Sequence, residues 1–82
     1  MASTRVIASP VSGHFYRRPR PDQPPFVEEG QRVEAGQTIG VIETAKQFTE
    51  VKSVSSGTLA EFAVPDERML SQGETIARIV EE

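Results

Sequence analysis

The sequence predicts an all-β domain, a flattened barrel or sandwich with quasi-twofold symmetry. Three observations point there. Apolar residues come as short alternating stretches with no sustained helical period. Gly13, Gly30, Gly36, Gly57 and Gly73 punctuate those stretches. The chain also repeats itself: Gly36-Gln37-Thr38-Ile39-Gly40-Val41-Ile42 has its counterpart in Gly73-Glu74-Thr75-Ile76-Ala77-Arg78-Ile79, at an offset of 37. Val27 falls on Val64 and Val33 on Leu70 at the same offset. Earlier in each half, Ser12-Gly13-His14-Phe15 matches Ser56-Gly57-Thr58-Leu59 at an offset of 44, so the first half holds a seven-residue insertion between Phe15 and Val27. Each half has four candidate strands and is too small to bury its own apolar face, so the two must close on one core.

The strands are expected at Arg5-Ala8; His14-Tyr16, after Gly13; Arg32-Val33, after Gly30; and Thr38-Glu43, after Gly36. In the second half they are expected at Glu50-Val54, Gly57-Phe62, Met69-Leu70 and Thr75-Val80. The polar run Ser53-Val54-Ser55-Ser56-Gly57 marks one turn, and Pro65-Asp66-Glu67 marks another before the last pair. No stretch favours helix. Residues 17–25, Arg-Arg-Pro-Arg-Pro-Asp-Gln-Pro-Pro, concentrate three arginines and four prolines. Proline fixes φ and removes donors, so this loop should be semi-rigid and extended or polyproline-like, unable to pair centrally in a sheet.

Composition narrows the function. Eighty-two residues suffice for one domain and leave little room for an enclosed active site beside a core. With no Cys and one His there is neither a disulfide framework nor a zinc cluster. Twelve acidic against nine basic side chains, with a pI near 5.1, argue against a general nucleic-acid binder. The longest apolar runs, such as Val41-Ile42 and Ile79-Val80, are too short to span a bilayer, and Met1-Ala2-Ser3-Thr4-Arg5 lacks a signal-peptide apolar region. The expected address is cytoplasmic. No acid/base pair, metal cluster or phosphate loop stands out, so no catalytic residue is assigned.

Between the halves lies Thr44-Ala45-Lys46-Gln47-Phe48, which reads as a hairpin tip. The chain holds seven arginines but only two lysines, Lys46 and Lys52, and Lys46 would project furthest into solvent. A primary amine acylates once deprotonated, and arginine could not take its place.

These residues carry a resemblance. Gly36 to Val51 is similar to the modification hairpin of the biotinyl/lipoyl attachment domains. Ser9-Pro10-Val11-Ser12-Gly13-His14-Phe15-Tyr16-Arg17-Arg18-Pro19, with Pro24 to Val33, resembles bacterial biotin carboxyl carrier proteins of the acetyl-CoA carboxylase type. The likeness runs from about Ser9 to Val80. It rests on a lysine midway between matched halves and on the insertion after Gly-x-Phe-Tyr, which corresponds to the thumb of the acetyl-CoA carboxylase carrier. The resemblance implies a barrel-sandwich hybrid of two four-stranded antiparallel sheets, with the target lysine on an exposed turn. Residues 1–8 are read as an N-terminal segment and first strand, and 9–82 as the attachment domain with a thumb at about 17–25. These residues do not include the Ala/Pro-rich linker typical of biotin carriers; a natural short form and a cut piece of a longer chain both stay open, Met1 slightly favouring the first.

The function implied is a non-catalytic carrier subunit of a multi-subunit carboxylase serving fatty acid biosynthesis. Biotin would be attached to Lys46 by a biotin protein ligase, and carboxybiotin carried between biotin carboxylase and carboxyltransferase subunits. Recognition by the ligase or a partner falls to Glu43, Ala45, Gln47 and Phe48 at the hairpin and to Arg17, Arg18 and Arg20 in the thumb. The three arginines offer planar donors for a carboxylate or ureido oxygen, for a carboxylase subunit, or for the domain's own surface. Biotin carriers usually place Met on both sides of the lysine, where this chain has Ala45 and Gln47. Lipoyl domains usually have Asp before and Ala after, with Glu three residues upstream, the position of Glu43. Two other readings therefore stay open: a lipoyl carrier, and an unmodified domain acting as an interaction module. No nucleic acid, membrane or metal is expected.

Phe48 is expected on the core rather than in solvent. His14 and Tyr16 share one strand face, with His14 read as a surface or satisfied strand residue rather than a catalytic one. Glu28-Glu29, Asp66-Glu67 and Glu81-Glu82 are read as solvated acids. Arg18-x-x-Pro21-x-x-Pro24 also fits a proline-rich ligand pattern that is common in such loops.

Overall fold

A computed structural model describes residues 3–81. Expectations that concern Met1, Ala2 and Glu82 lie outside the described residues. Eight strands form: β1 (Thr4–Ala8), β2 (Gly13–Tyr16), β3 (Arg32–Val33), β4 (Thr38–Glu43), β5 (Phe48–Lys52), β6 (Gly57–Phe62), β7 (Arg68–Leu70) and β8 (Thr75–Glu81). They make two four-stranded antiparallel sheets, ordered β1-β8-β6-β3 and β5-β4-β2-β7, with no helix among the described residues. Of the expected strands only the fifth moves. β5 begins at Phe48 because Phe48 and Thr49 pair with Glu43 and Ile42. It stops at Lys52 because the Ser53 amide donates to Gln37 O at 2.9 Å and its hydroxyl to Ser55 O at 2.7 Å, which turns the chain out of the ladder.

The two sequence offsets reappear as hydrogen bonds. Shifting β4 and β3 by 37 gives β8 and β7, and shifting β1 and β2 by 44 gives β5 and β6, so the operation converts one sheet order into the other. Gly36 N–H donates to Ser53 O at 2.9 Å, and Gly73 N–H donates to Ser9 O at 2.8 Å. The Ser9 and Ser53 hydroxyls, both buried, donate to Val11 O and Ser55 O at 2.6 and 2.7 Å. Ala35 N–H and Gln72 N–H donate to the Ser56 and Ser12 hydroxyls at 3.0 and 2.9 Å. Even the irregularity repeats: the bulge between Thr38 and Gly40 against β5 matches the one where β8 meets Ile7 and Ala8. Gly36 and Gly73, at φ +87° and +88°, make the same left-handed turn.

Between the sheets, Phe15, Val33, Ile39, Ile42, Leu59, Ile76 and Ile79 are fully buried. The symmetric pairs Ile39/Ile76, Ile42/Ile79 and Phe15/Leu59 meet in one cluster, each side chain contributing roughly 1.5–3 kcal/mol by leaving water. Gly40 admits the largest of them: a Cβ there would lie 2.5 Å from Phe15 Cε1. Ion pairs such as Arg5–Glu81 (3.7 Å), Arg68–Glu74 (3.3 Å) and Arg78–Glu61 lie on the exposed faces and add little, about 0–1 kcal/mol each.

Candidate functional site

The symmetry also places the hairpin tip. Thr44 N–H donates to Gln47 O at 2.9 Å, and its counterpart is Glu81 N–H donating to Ser3 O at 2.7 Å. The β4–β5 turn is therefore the spot where the chain passes continuously between halves, and its mate at the opposite pole is where the described chain begins and ends. The Thr44 hydroxyl donates to the same Gln47 oxygen at 3.1 Å and tightens the turn. Ala45, Lys46 and Gln47 are exposed on it, and among the described residues Lys46 makes no hydrogen bond or ion pair. Two antiparallel strands thus hold a rigid post with a free primary amine at its end.

Beside the post lies a groove of about 260 Å³. Tyr16 and Glu43 form its floor from adjacent strands, Phe48 one wall, Arg18 to Pro21 of the thumb the other, and Asp66-Glu67 of the β6–β7 turn its end. The Tyr16 hydroxyl donates to Glu43 Oε1 at 3.2 Å. Partial burial, that hydrogen bond and the negative charges of Glu43, Glu67 and Asp66 push the Tyr16 phenol above its ordinary range. Glu67 is the single described non-glycine residue with positive φ, at 64°.

The thumb is not an extended arm. Gln23 N–H donates to Arg20 O at 3.0 Å and Phe26 N–H to Arg17 O at 2.9 Å, so residues 17–26 fold into a closed turn. Proline explains why no strand forms, but the turn comes from these two bonds. The three thumb arginines separate. Arg17 stacks its guanidinium over the Phe62 ring at 4.3 Å and donates from Nη2 to Val64 O at 2.8 Å, while its Nε is buried without a partner. Its guanidinium thus serves the domain's own surface. Arg18 is half-buried between Asp66 Oδ2 at 3.8 Å and Gln23 O at 3.4 Å. Arg20 is exposed and lines the groove.

Phe48 is not a core residue: it is 63% exposed. The first pair of β5 points it away from the sheet interior, since Thr49 and Val51 occupy the more buried positions. Together with Glu43, Ala45 and Gln47 it surrounds the base of the lysine turn. The acidic residues are not simply solvated. Glu29 Oε2 accepts from Phe62 N–H at 2.8 Å, Asp66 Oδ1 accepts from Arg17 N–H at 2.9 Å, and Glu81 extends β8. Sequence reading missed Asp66 and Glu67 as groove residues, because their contacts lie about fifty positions away along the chain. His14 is exposed on the strand face it shares with Tyr16, as expected. On the other side of the turn, His14, Met69 and Ala45 border a shallow, open hollow.

Comparison with known proteins gives concordant matches. A model of the family described as biotin-requiring enzyme covers residues 5–79. The chain is 40% identical over 65 residues to the biotin carboxyl carrier protein of acetyl-CoA carboxylase 2, chloroplastic, of Arabidopsis thaliana, covering 79% of this chain and 26% of that protein. It is 35% identical over 79 residues to the biotin carboxyl carrier protein of acetyl-CoA carboxylase of Streptococcus pyogenes, covering 96% of this chain and 48% of that protein. The chain thus spans about a quarter to a half of the curated relatives it matches. Kluyveromyces lactis urea carboxylase contains a similar fold, with a TM-score of 0.79 and 26% identity over 95% of this chain and 6% of that one. No helix of the described residues is long and apolar enough to cross a membrane.

Proposed function

The chain belongs to the biotin-requiring enzyme family, and on that premise we propose that it is a carrier domain whose Lys46 is the point of biotin attachment. The observation that carries this is the free, exposed amine at the tip of a rigid hairpin, midway between two symmetric halves. The residues fit the group. Amide formation needs an unpaired primary amine within reach of a ligase, and the groove beside it offers an aromatic wall, hydrogen-bond donors and carboxylates. Deprotonated Lys46 Nζ attacks the carbonyl carbon of biotinyl-adenylate made by the ligase from biotin and ATP; the C–O bond to the phosphate breaks, AMP leaves, and the nitrogen gives up a proton to solvent as the amide forms. Once attached, biotin supplies a ureido nitrogen that takes up and gives back a carboxyl group. The chain's own part is positional: the hairpin holds the tether clear of the barrel and raises the effective concentration of its end at two partner active sites in turn.

Glu43, Ala45, Gln47 and Phe48 form the surface a biotin protein ligase reads, with Arg18 and Arg20 facing the same side; Arg17 acts from beneath the thumb. The relatives' names support an acetyl-CoA carboxylase as the parent assembly, in which biotin carboxylase and carboxyltransferase subunits would be the partners and the cytoplasm the compartment. Incubating the protein with biotin, ATP and a biotin ligase and measuring intact mass tests the reading. One biotinyl group, mapped by fragmentation to Lys46 and lost in Lys46→Arg with the fold unchanged, is the expected result. Label on Lys52, or none, sinks it.

A further inference from the structure

We propose that Asp66 is a positioning residue, which through Arg17 and Arg18 locks the thumb against the β6–β7 turn and fixes the groove wall beside Lys46. The proposal rests on the carrier reading above and deepens it. Asp66 has both carboxylate oxygens turned to the thumb root: Oδ1 accepts from Arg17 N–H at 2.9 Å, and Oδ2 faces Arg18 Nε at 3.8 Å. The Arg17 side chain then reaches past it to Val64 O and lies on the Phe62 ring, so one residue is gripped through backbone and side chain alike. Directly above this grip the thumb closes on itself through Phe26 N–H to Arg17 O and Gln23 N–H to Arg20 O. The carboxylate therefore holds the root of a loop whose outer residues, Arg18 and Arg20, face Tyr16 and Phe48 across the groove.

The other half of the molecule supplies the comparison. Glu29, the equivalent of Asp66 at the 37-residue offset, accepts at 2.8 Å from the N–H of Phe62, the last residue of β6. An acid bonding the backbone as it leaves the strand is thus common to both halves, but in the first half alone does it hold an insertion. If Asp66 merely supported the barrel, its loss and the loss of Glu29 would look alike. A role in the thumb predicts that they differ.

The groove also contains its own reporter. Tyr16 is the single tyrosine of a chain without tryptophan, so ultraviolet titration reads this site alone. The test compares Asp66→Ala, Asp66→Asn and Glu29→Ala. In Asp66→Ala the thumb amides of Gln23 and Phe26 should exchange with solvent at least about tenfold faster than in the wild type, while those of Ile42 and Ile79 stay protected. The Tyr16 phenol should move part of the way back toward its ordinary value as water reaches it and the Asp66 charge is lost. With the biotinylated domain as substrate, the KM of a biotin carboxylase should rise several-fold with kcat unchanged. Asp66→Asn, which keeps an acceptor for Arg17 N–H, should restore thumb protection and KM; Glu29→Ala should move none of the three readings. Unchanged exchange in Asp66→Ala overturns the proposal, as does a loosened thumb with an unaltered KM, or a Glu29→Ala variant that behaves the same way. A wild-type chain that no biotin ligase labels sinks the carrier reading instead, and exchange and titration then decide the clasp.

Discussion

Tyr16 shows how one side chain registers its whole surroundings. The unfolded chain releases its phenol proton at the ordinary value of ~10, whereas the folded chain, with its phenol half-covered and facing Glu43, Glu67 and Asp66, holds that proton to higher pH. The linkage sign follows: the stabilisation is complete below the ordinary value and is lost as pH rises through the raised one. Urea unfolding followed from pH ~8 to ~11 should show a steeper alkaline loss for the wild type than for Tyr16→Phe. Equal slopes would mean that the phenol does not sense the carboxylates. Phe48 carries a second lesson at this scale. The chemistry of a lone aromatic in a mostly polar stretch favours the core, yet strand register turns Phe48 outward beside the lysine. Sequence chemistry gives a residue's preference, and the first hydrogen-bonded pair of its strand decides which face receives it.

The strands and turns were legible because they are local. Alternation, glycine spacing and the Pro65 turn mark most strand ends within a residue, and the repeated Gly-x-Thr-Ile segment marks two copies of one turn. The structural equivalence of Gly36 and Gly73 can be measured. Neither has an atom within 4 Å of where a Cβ would stand, so substitution meets only backbone strain. Gly36→Ala and Gly73→Ala should each cost about 1–2 kcal/mol in urea unfolding, with matching values. Markedly unequal losses would contradict the shared turn geometry. What local signals could not supply was the fifth strand's frame and the thumb's shape. The first depends on pairing with β4, and the second on bonds that close the thumb on itself and dock its root on residues 64–66.

At the scale of the molecule, the seven-residue difference between the offsets has a physical address: removing residues 19–25 would join Arg18 to Phe26 and give the first half the length of the second. That deletion should still unfold in one cooperative transition, because no residue of the buried cluster lies in the excised segment, and it should lower the raised Tyr16 titration by exposing the phenol without abolishing it, since Glu43, Glu67 and Asp66 remain. Loss of cooperative unfolding would show instead that the barrel needs the thumb. The all-β class, the two symmetric halves, the position of the insertion and the lysine between the halves can all be read from the order of residues. Each of these is written in spacing, which survives without coordinates. Only the folded coordinates reveal that the hairpin tip and the described chain ends are opposite poles of one symmetry. They also reveal that Phe48 faces solvent, that Arg17 serves the barrel rather than a ligand, and that Asp66 and Glu67 end the groove. Those facts depend on pairs up to about fifty residues apart, and only closure of two sheets on a common core brings such pairs together.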